Sequence, residues 1–230
     1  MRATKEWEEF GDGEWFWGTN NASIYDFFVE GTARSRDYEN VVTVGMRGYH
    51  DTPIGDDIEI DLLESVVAAQ TEILANAYGN ASSVPQSWCL YKEVQGCYEQ
   101  GMQVPDHVTL LWAEDNYGNI RRLPIDNETD RSGGAGVYYH FDYVGDPRNY
   151  KWLSTTKLTK TLVNVGDLKP VELPISHFLD MAYDITKFDK DSTPFYLEQW
   201  AAREFGPQVA ADTAKSSTLT EKPQAGASSS

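Results

Sequence analysis

Apolar runs of four to six residues alternate with polar clusters along most of this chain. Val41–Met46, Ser87–Tyr91, His107–Trp112, Val137–Phe141 and Leu162–Val165 are rich in β-branched and aromatic side chains, which predicts five strands. The first run, Val41–Met46, is continuous rather than alternating and reads as a buried parallel strand. Between the first two, apolar residues at 62, 63, 66, 67, 73, 74 and 77 with a stop at Gly79 predict an amphipathic helix over Asp61–Tyr78. Shorter helices are expected up to Gln100, around Ser176–Asp184, over 194–205, and through Tyr25–Phe28 with Ser23 or Asn21 as cap. Strand, polar cluster, helix, strand is the order of βα units on a parallel sheet.

The order fails once. Parallel crossovers need about a dozen residues or more, and the stretch from Tyr150 to Leu162 barely supplies them and shows no helical period.

Each strand carries groups capable of chemistry at its end: Arg47 and Asp51, then Glu93, then Glu114 and Asn116, then His140, Asp142 and Tyr143, and finally Asn164 and Asp167. Taken singly, such tyrosines read as core and such aspartates as turn caps. Recurrence is what points elsewhere, because an α/β barrel brings the carboxyl ends of its strands to one mouth. Several carboxylates beside Arg, Asn and Tyr suit glycoside hydrolysis, where one carboxyl protonates the leaving oxygen and another activates water or attacks the sugar. There is no G-x-S-x-G elbow and no P-loop, and the glycines at 134 and 136 precede a strand instead of opening a helix. The four histidines form no H-x-H or H-E-x-x-H pairing, so neither a metal nor another cofactor is expected.

Composition narrows this further. With 40% hydrophobic and 13% aromatic residues, the chain can bury a core. A net charge of −17 disfavours nucleic acid and anionic membranes as partners. It leaves a small anionic substrate open, since charges beyond about 8 Å are screened at physiological salt. No apolar run nears the roughly 20 residues of a membrane span, and the start MRATKEWEEF lacks the apolar segment of a signal peptide. Cys89 and Cys97, spaced C-x7-C, match no metal or redox motif and read as packing residues. Sequons at Asn21, Asn80 and Asn127 fall in loop-like sequence and hint at a secreted parent protein. Trp15-Phe16-Trp17 beside Gly18 has the look of a loop with exposed, sugar-binding aromatics, although each ring taken alone reads as core. From Gly206 the Ala/Ser/Thr/Pro-rich tail reads as disordered.

Longer strings then add a family. VGMRG (44–48), WCLYKEVQG (88–96), VPDHVTLLWAEDNYGNIRRLP (104–124), SGGAGVYYHFDYVGDPRNYKW (132–152) and VNVGDLKP (163–170) together resemble glycoside hydrolase family 115, the xylan α-glucuronidases, from about Trp15 to Tyr183. The resemblance implies an α/β fold: a partial (β/α)8 TIM-type barrel with parallel strands, truncated at both ends and with an internal gap. It implies inverting removal of α-1,2-linked glucuronic acid, or its 4-O-methyl ether, from xylan. Asp51 and Glu93 become the acid and base pair, in either order. Arg47 and Arg122 would hold the uronate carboxylate, while Glu114, Asn116 and Tyr143, with His140, Asp142 and Asn164, would position sugar or water. Departures from the family are Tyr49-His50 ahead of Asp51, the short stretch after Trp152, and the lack of the first strands with the acidic residue they supply. Impaired activity is therefore expected, with a carbohydrate-binding remnant as the alternative. The implied division is an aromatic-rich lead-in (1–40), barrel (41–190), outgoing helix (191–206) and tail (207–230). The implied partner is glucuronoxylan, with a secreted and homodimeric parent protein.

Overall fold

The computed structural model describes residues 3–55, 58–115, 120–140, 142–143, 149–150, 161–165, 171–189 and 191–220. It divides into two compact units, Met1–Asp115 with Ile120–Tyr138, and Asn116–Asn119 with Tyr139–Ser230.

In the first unit the elements run α1 (Ala3–Phe10), α2 (Trp17–Ser35), β1 (Val42–Thr43), α3 (Ile60–Tyr78), β2 (Gln86–Leu90), α4 (Glu93–Glu99), β3 (Val108–Ala113) and β4 (Ala135–His140), the last two residues of β4 falling to the second unit. The four strands lie side by side in that order and all are parallel, with Val42 opposite Gln86, Trp88 opposite Leu110 and Trp112 opposite Val137. Trp88, Leu90, Val108, Leu110 and Trp112 are each no more than 2% exposed. These residues alternate with the partly exposed Cys89, Thr109 and Leu111, so one face of the sheet is core and the other only partly covered, where a continuous apolar run predicts burial on both. Helix α3 buries the stripe Leu63, Val66, Val67, Gln70, Ile73 and Leu74, and stops at Gly79, whose φ of 81° lets its N–H return to the Ala75 carbonyl. This is the helix that the periodicity predicts. The sheet is open and fits part of a parallel barrel.

Three expectations change. The first strand is only two residues long, although the apolar run covers six. Helix α2 starts at Trp17 instead of beyond Ser23, and bends at Asn20, whose side-chain amide donates to the Asp12 and Glu14 carbonyls at 2.7 and 2.9 Å. Asn21 therefore sits in a helix and not in a loop. Lastly, Trp15 and Trp17 are core: both are 8% exposed, and Trp15 packs 5.2 Å from Trp7 and 5.9 Å from Phe27. Trp7, Trp15, Trp17, Phe27 and Phe28 pack against one another, and such mutual burial removes aromatic area from water.

The second unit holds β5 (Asp142–Tyr143), β6 (Asn149–Tyr150), β7 (Thr161–Asn164), α5 (Glu172–Tyr183), α6 (Thr193–Phe205) and α7 (Ala210–Thr220). Strands β5 and β6 pair antiparallel, with Asp142 opposite Tyr150, which departs from the parallel βα order. Helices α5 and α6 are tied by the Tyr196 hydroxyl, which donates to Asp180 Oδ2 at 2.8 Å, and by the stacking of His177 on Tyr196 at 4.3 Å. Where the tail reads as disordered, Ala210–Thr220 is helical, because alanines at 210, 211 and 214 supply propensity that low complexity conceals. Among the described residues no helix is long and apolar enough to cross a membrane.

Candidate active site

All four parallel strands point their carboxyl ends to one edge, so Arg47, Glu93 and Glu114 leave the sheet on the same rim. Arg47 stands between the two predicted catalytic carboxylates. Its Nε and Nη2 donate to the two oxygens of Glu93 at 2.8 and 3.0 Å, a bidentate pair. Its Nη1 donates to the Asp51 main-chain carbonyl at 2.6 Å and also to the Asp51 carboxylate. Burial opposes the charge on Arg47, yet its hydrogen bonds to Glu93 and Asp51 outweigh it and raise the guanidinium pKa. The pair is uneven, since the Glu93 side chain is 18% exposed and that of Asp51 64%.

The backbone around this cluster is strained. His50 (φ 51°), Asp51 (φ 69°) and Lys92 (φ 51°) are left-handed without being glycine, a conformation that costs roughly 1–2 kcal/mol per residue. Gly48 ahead of them is compelled: a Cβ there would lie 2.4 Å from the Pro53 carbonyl oxygen. Lys92 precedes Glu93, the first residue of α4, and is that helix's N-cap.

Tyr91 and Lys92 belong to the site although the sequence did not single them out. The Tyr91 ring lies 5.4 Å from Arg47 Cζ and 5.0 Å from Lys92 Nζ. Both residues line an open cleft of about 330 Å³ with Gln95, Glu99, Asp115 and Arg121, and Glu114, 1% exposed, closes its wall. Their signal was adjacency to Glu93 at a strand end.

Arg122 is placed differently. It pairs with Glu128 at 2.7 Å and Glu99 at 3.8 Å, and its guanidinium lies over Trp112 at 4.5 Å and Tyr98 at 5.8 Å. Burial raises the Glu128 pKa, but hydrogen bonds from Arg122 and the Ile125 N–H prevail and lower it. Arg122 thus fastens a 3-10 turn (Asp126–Asp130) to the sheet. His140 closes β4 and is 5% exposed. Asp142, Tyr143 and Asn164 lie in β5 and β7, with their side chains outside the described residues, as is the whole of Asn116. Burial pushes the Cys89 thiol up to about 12, an inert packing group. Among the described residues no group of three or more His, Cys, Asp or Glu could hold a metal ion.

With this geometry in view, likeness to known proteins becomes informative. No curated protein matches the chain. A solved structure described as a novel family GH115 4-O-methyl-α-glucuronidase, BtGH115A, with specificity for decorated arabinogalactans, is similar at 33% identity with a TM-score of 0.85. The likeness covers 96% of this chain but only 32% of that one, so the chain spans about a third of the solved structure's length. The sequence profile described as Glycosyl hydrolase family 115 matches residues 1–163 and 159–224, two stretches that meet just where the sequence lacks a crossover. Matched along nearly its whole length by that profile, and a third identical to a solved structure of the same name, the chain belongs to glycosyl hydrolase family 115.

Proposed function

We propose that this chain is the catalytic-barrel portion of an α-glucuronidase, removing glucuronic acid or its 4-O-methyl ether from a polysaccharide with inversion at the anomeric carbon. The observation that carries the reading is the Arg47 guanidinium gripping Glu93 and Asp51 at the carboxyl edge of a parallel sheet. Arg47 has five N–H donors, and four of them are engaged by the two carboxylates and the Asp51 carbonyl. An incoming uronate displaces the exposed, singly held Asp51 more easily than the bidentate Glu93. Glu93 then remains the anion that activates water. Asp51, released, is the carboxyl that reaches the leaving oxygen. Glu114, buried just beyond β3, completes the mouth in this reading.

The polymer is glucuronoxylan on the family resemblance, and a decorated arabinogalactan on the example of the solved relative. Both belong outside the cell, where the parent protein is proposed to act. The test is release of the uronic acid from each polymer, with the anomer formed first read by proton NMR. Release of the β-anomer, lost in both Asp51→Asn and Glu93→Gln, is the expected result. Turnover is expected to be slow, because an open sheet leaves the mouth wet. Binding of either polymer without release, or first formation of the α-anomer, overturns the reading.

A further inference from the structure

The six-residue apolar run Val41–Met46 yields so short a strand for a reason that bears on the site. The β1–β2 ladder continues to the Val44 N–H, which donates to the Ser87 carbonyl at 2.9 Å. One residue later a side chain takes over. The Gln70 carboxamide accepts from the Gly45 N–H at 2.8 Å and donates to the Gly45 carbonyl at 3.2 Å, doing from helix α3 what a neighbouring strand would do. Gly45 has φ 87° and no room for a Cβ, which would meet the Trp88 indole at 2.3 Å. Two residues on, the Arg47 carbonyl accepts the Trp15 indole N–H at 2.9 Å. Gln70 and Trp15 are each 8% exposed.

We propose that Gln70 and Trp15 are positioning residues for Arg47: their hydrogen bonds to the Gly45 and Arg47 peptides turn the chain out of the sheet and set the guanidinium between Asp51 and Glu93. Loss of a substrate-positioning contact by even 1 Å costs about 100-fold in rate. Two side chains that share no atom with the carboxylates thereby control the clamp. Only the kinetic arm of the test rests on the function proposed above.

Gln70→Glu provides a conditional test. A neutral carboxyl both donates and accepts, as the carboxamide does, whereas the ionised form only accepts. Burial favours the neutral form, so acidification from pH 7.5 to 5.5 should restore the clasp. The readout is the Arg47 Nε–H resonance in the 230-residue chain, sharp and slowly exchanging while the pair with Glu93 holds. In Gln70→Glu it should broaden at pH 7.5 and recover at pH 5.5, with no such change in the wild type. In Trp15→Phe it should broaden at both pH values. Uronic acid release should follow the resonance, falling about 10- to 100-fold with it. An unchanged resonance in both variants overturns the proposal, as does a Gln70→Glu chain that fails to fold at either pH. A wild-type chain that shows the resonance but releases no sugar overturns the proposed function and leaves the positioning role standing.

Discussion

Arg47 and Arg122 are assembled from the same parts. Each faces two carboxylates and lies over an aromatic ring, 5.4 Å from Tyr91 in one case and 4.5 Å from Trp112 in the other. Their surroundings separate them. Around Arg47 three non-glycine residues are held left-handed, and one carboxylate is largely in water. Around Arg122 the partner Glu128 doubles as a turn cap, accepting the Ile125 N–H at 2.9 Å, and is 13% exposed. Strain beside an exposed charge is typical of sites that exchange partners, while a capped and stacked pair fixes a loop. Equal inventories of residues therefore say little about role. Backbone conformation and access to water say more.

The largest expected effect separates the two arginines by activity. Arg47→Lys keeps the charge but loses the bidentate fork, and should lower kcat/KM for uronic acid release by about 100-fold or more. Arg122→Lys should leave it within about threefold under conditions where the chain stays folded. Reversed results would exchange the roles. Next comes stability: Arg122→Leu strands Glu128 and should cost about 2 kcal/mol in urea unfolding, with Glu128→Gln costing less. A neutral Arg122→Leu would dissolve the contrast.

Strain gives the third test. His50→Gly removes the Cβ penalty at φ 51°, at the loss of an exposed 4.0 Å approach to Glu8 and a ring contact with Tyr49 at 4.1 Å. It should stabilise the chain by about 0.5–1 kcal/mol, seen as a higher urea midpoint. A lower midpoint would mean that the left-handed turn is not strained. The smallest effect is a pH slope. Since the folded pKa of Glu128 lies below its unfolded value, its contribution is present above the unfolded pKa of about 4.3 and fades as pH falls through the folded one. Glu128→Gln should remove that part of the acid sensitivity, less than about 1 kcal/mol, in unfolding curves at pH 3 to 6.

Much of the frame was legible beforehand. Short apolar and aromatic runs and one stripe ending at Gly79 fix β2, β3, β4 and α3, because burial of one sheet face or one helix stripe leaves a direct mark on residue order. The same order puts Arg47, Glu93 and Glu114 after strand ends. What it could not show is where a strand yields to a side chain. Gln70 follows the run by 24 residues, and its carboxamide meets Gly45 only when α3 folds over β1. Nor does composition tell an exposed ring from one that meets Trp7, or an arginine beside an exposed carboxylate from one that braces a turn. Those choices depend on contacts between segments distant in the chain, and only the folded arrangement sets them.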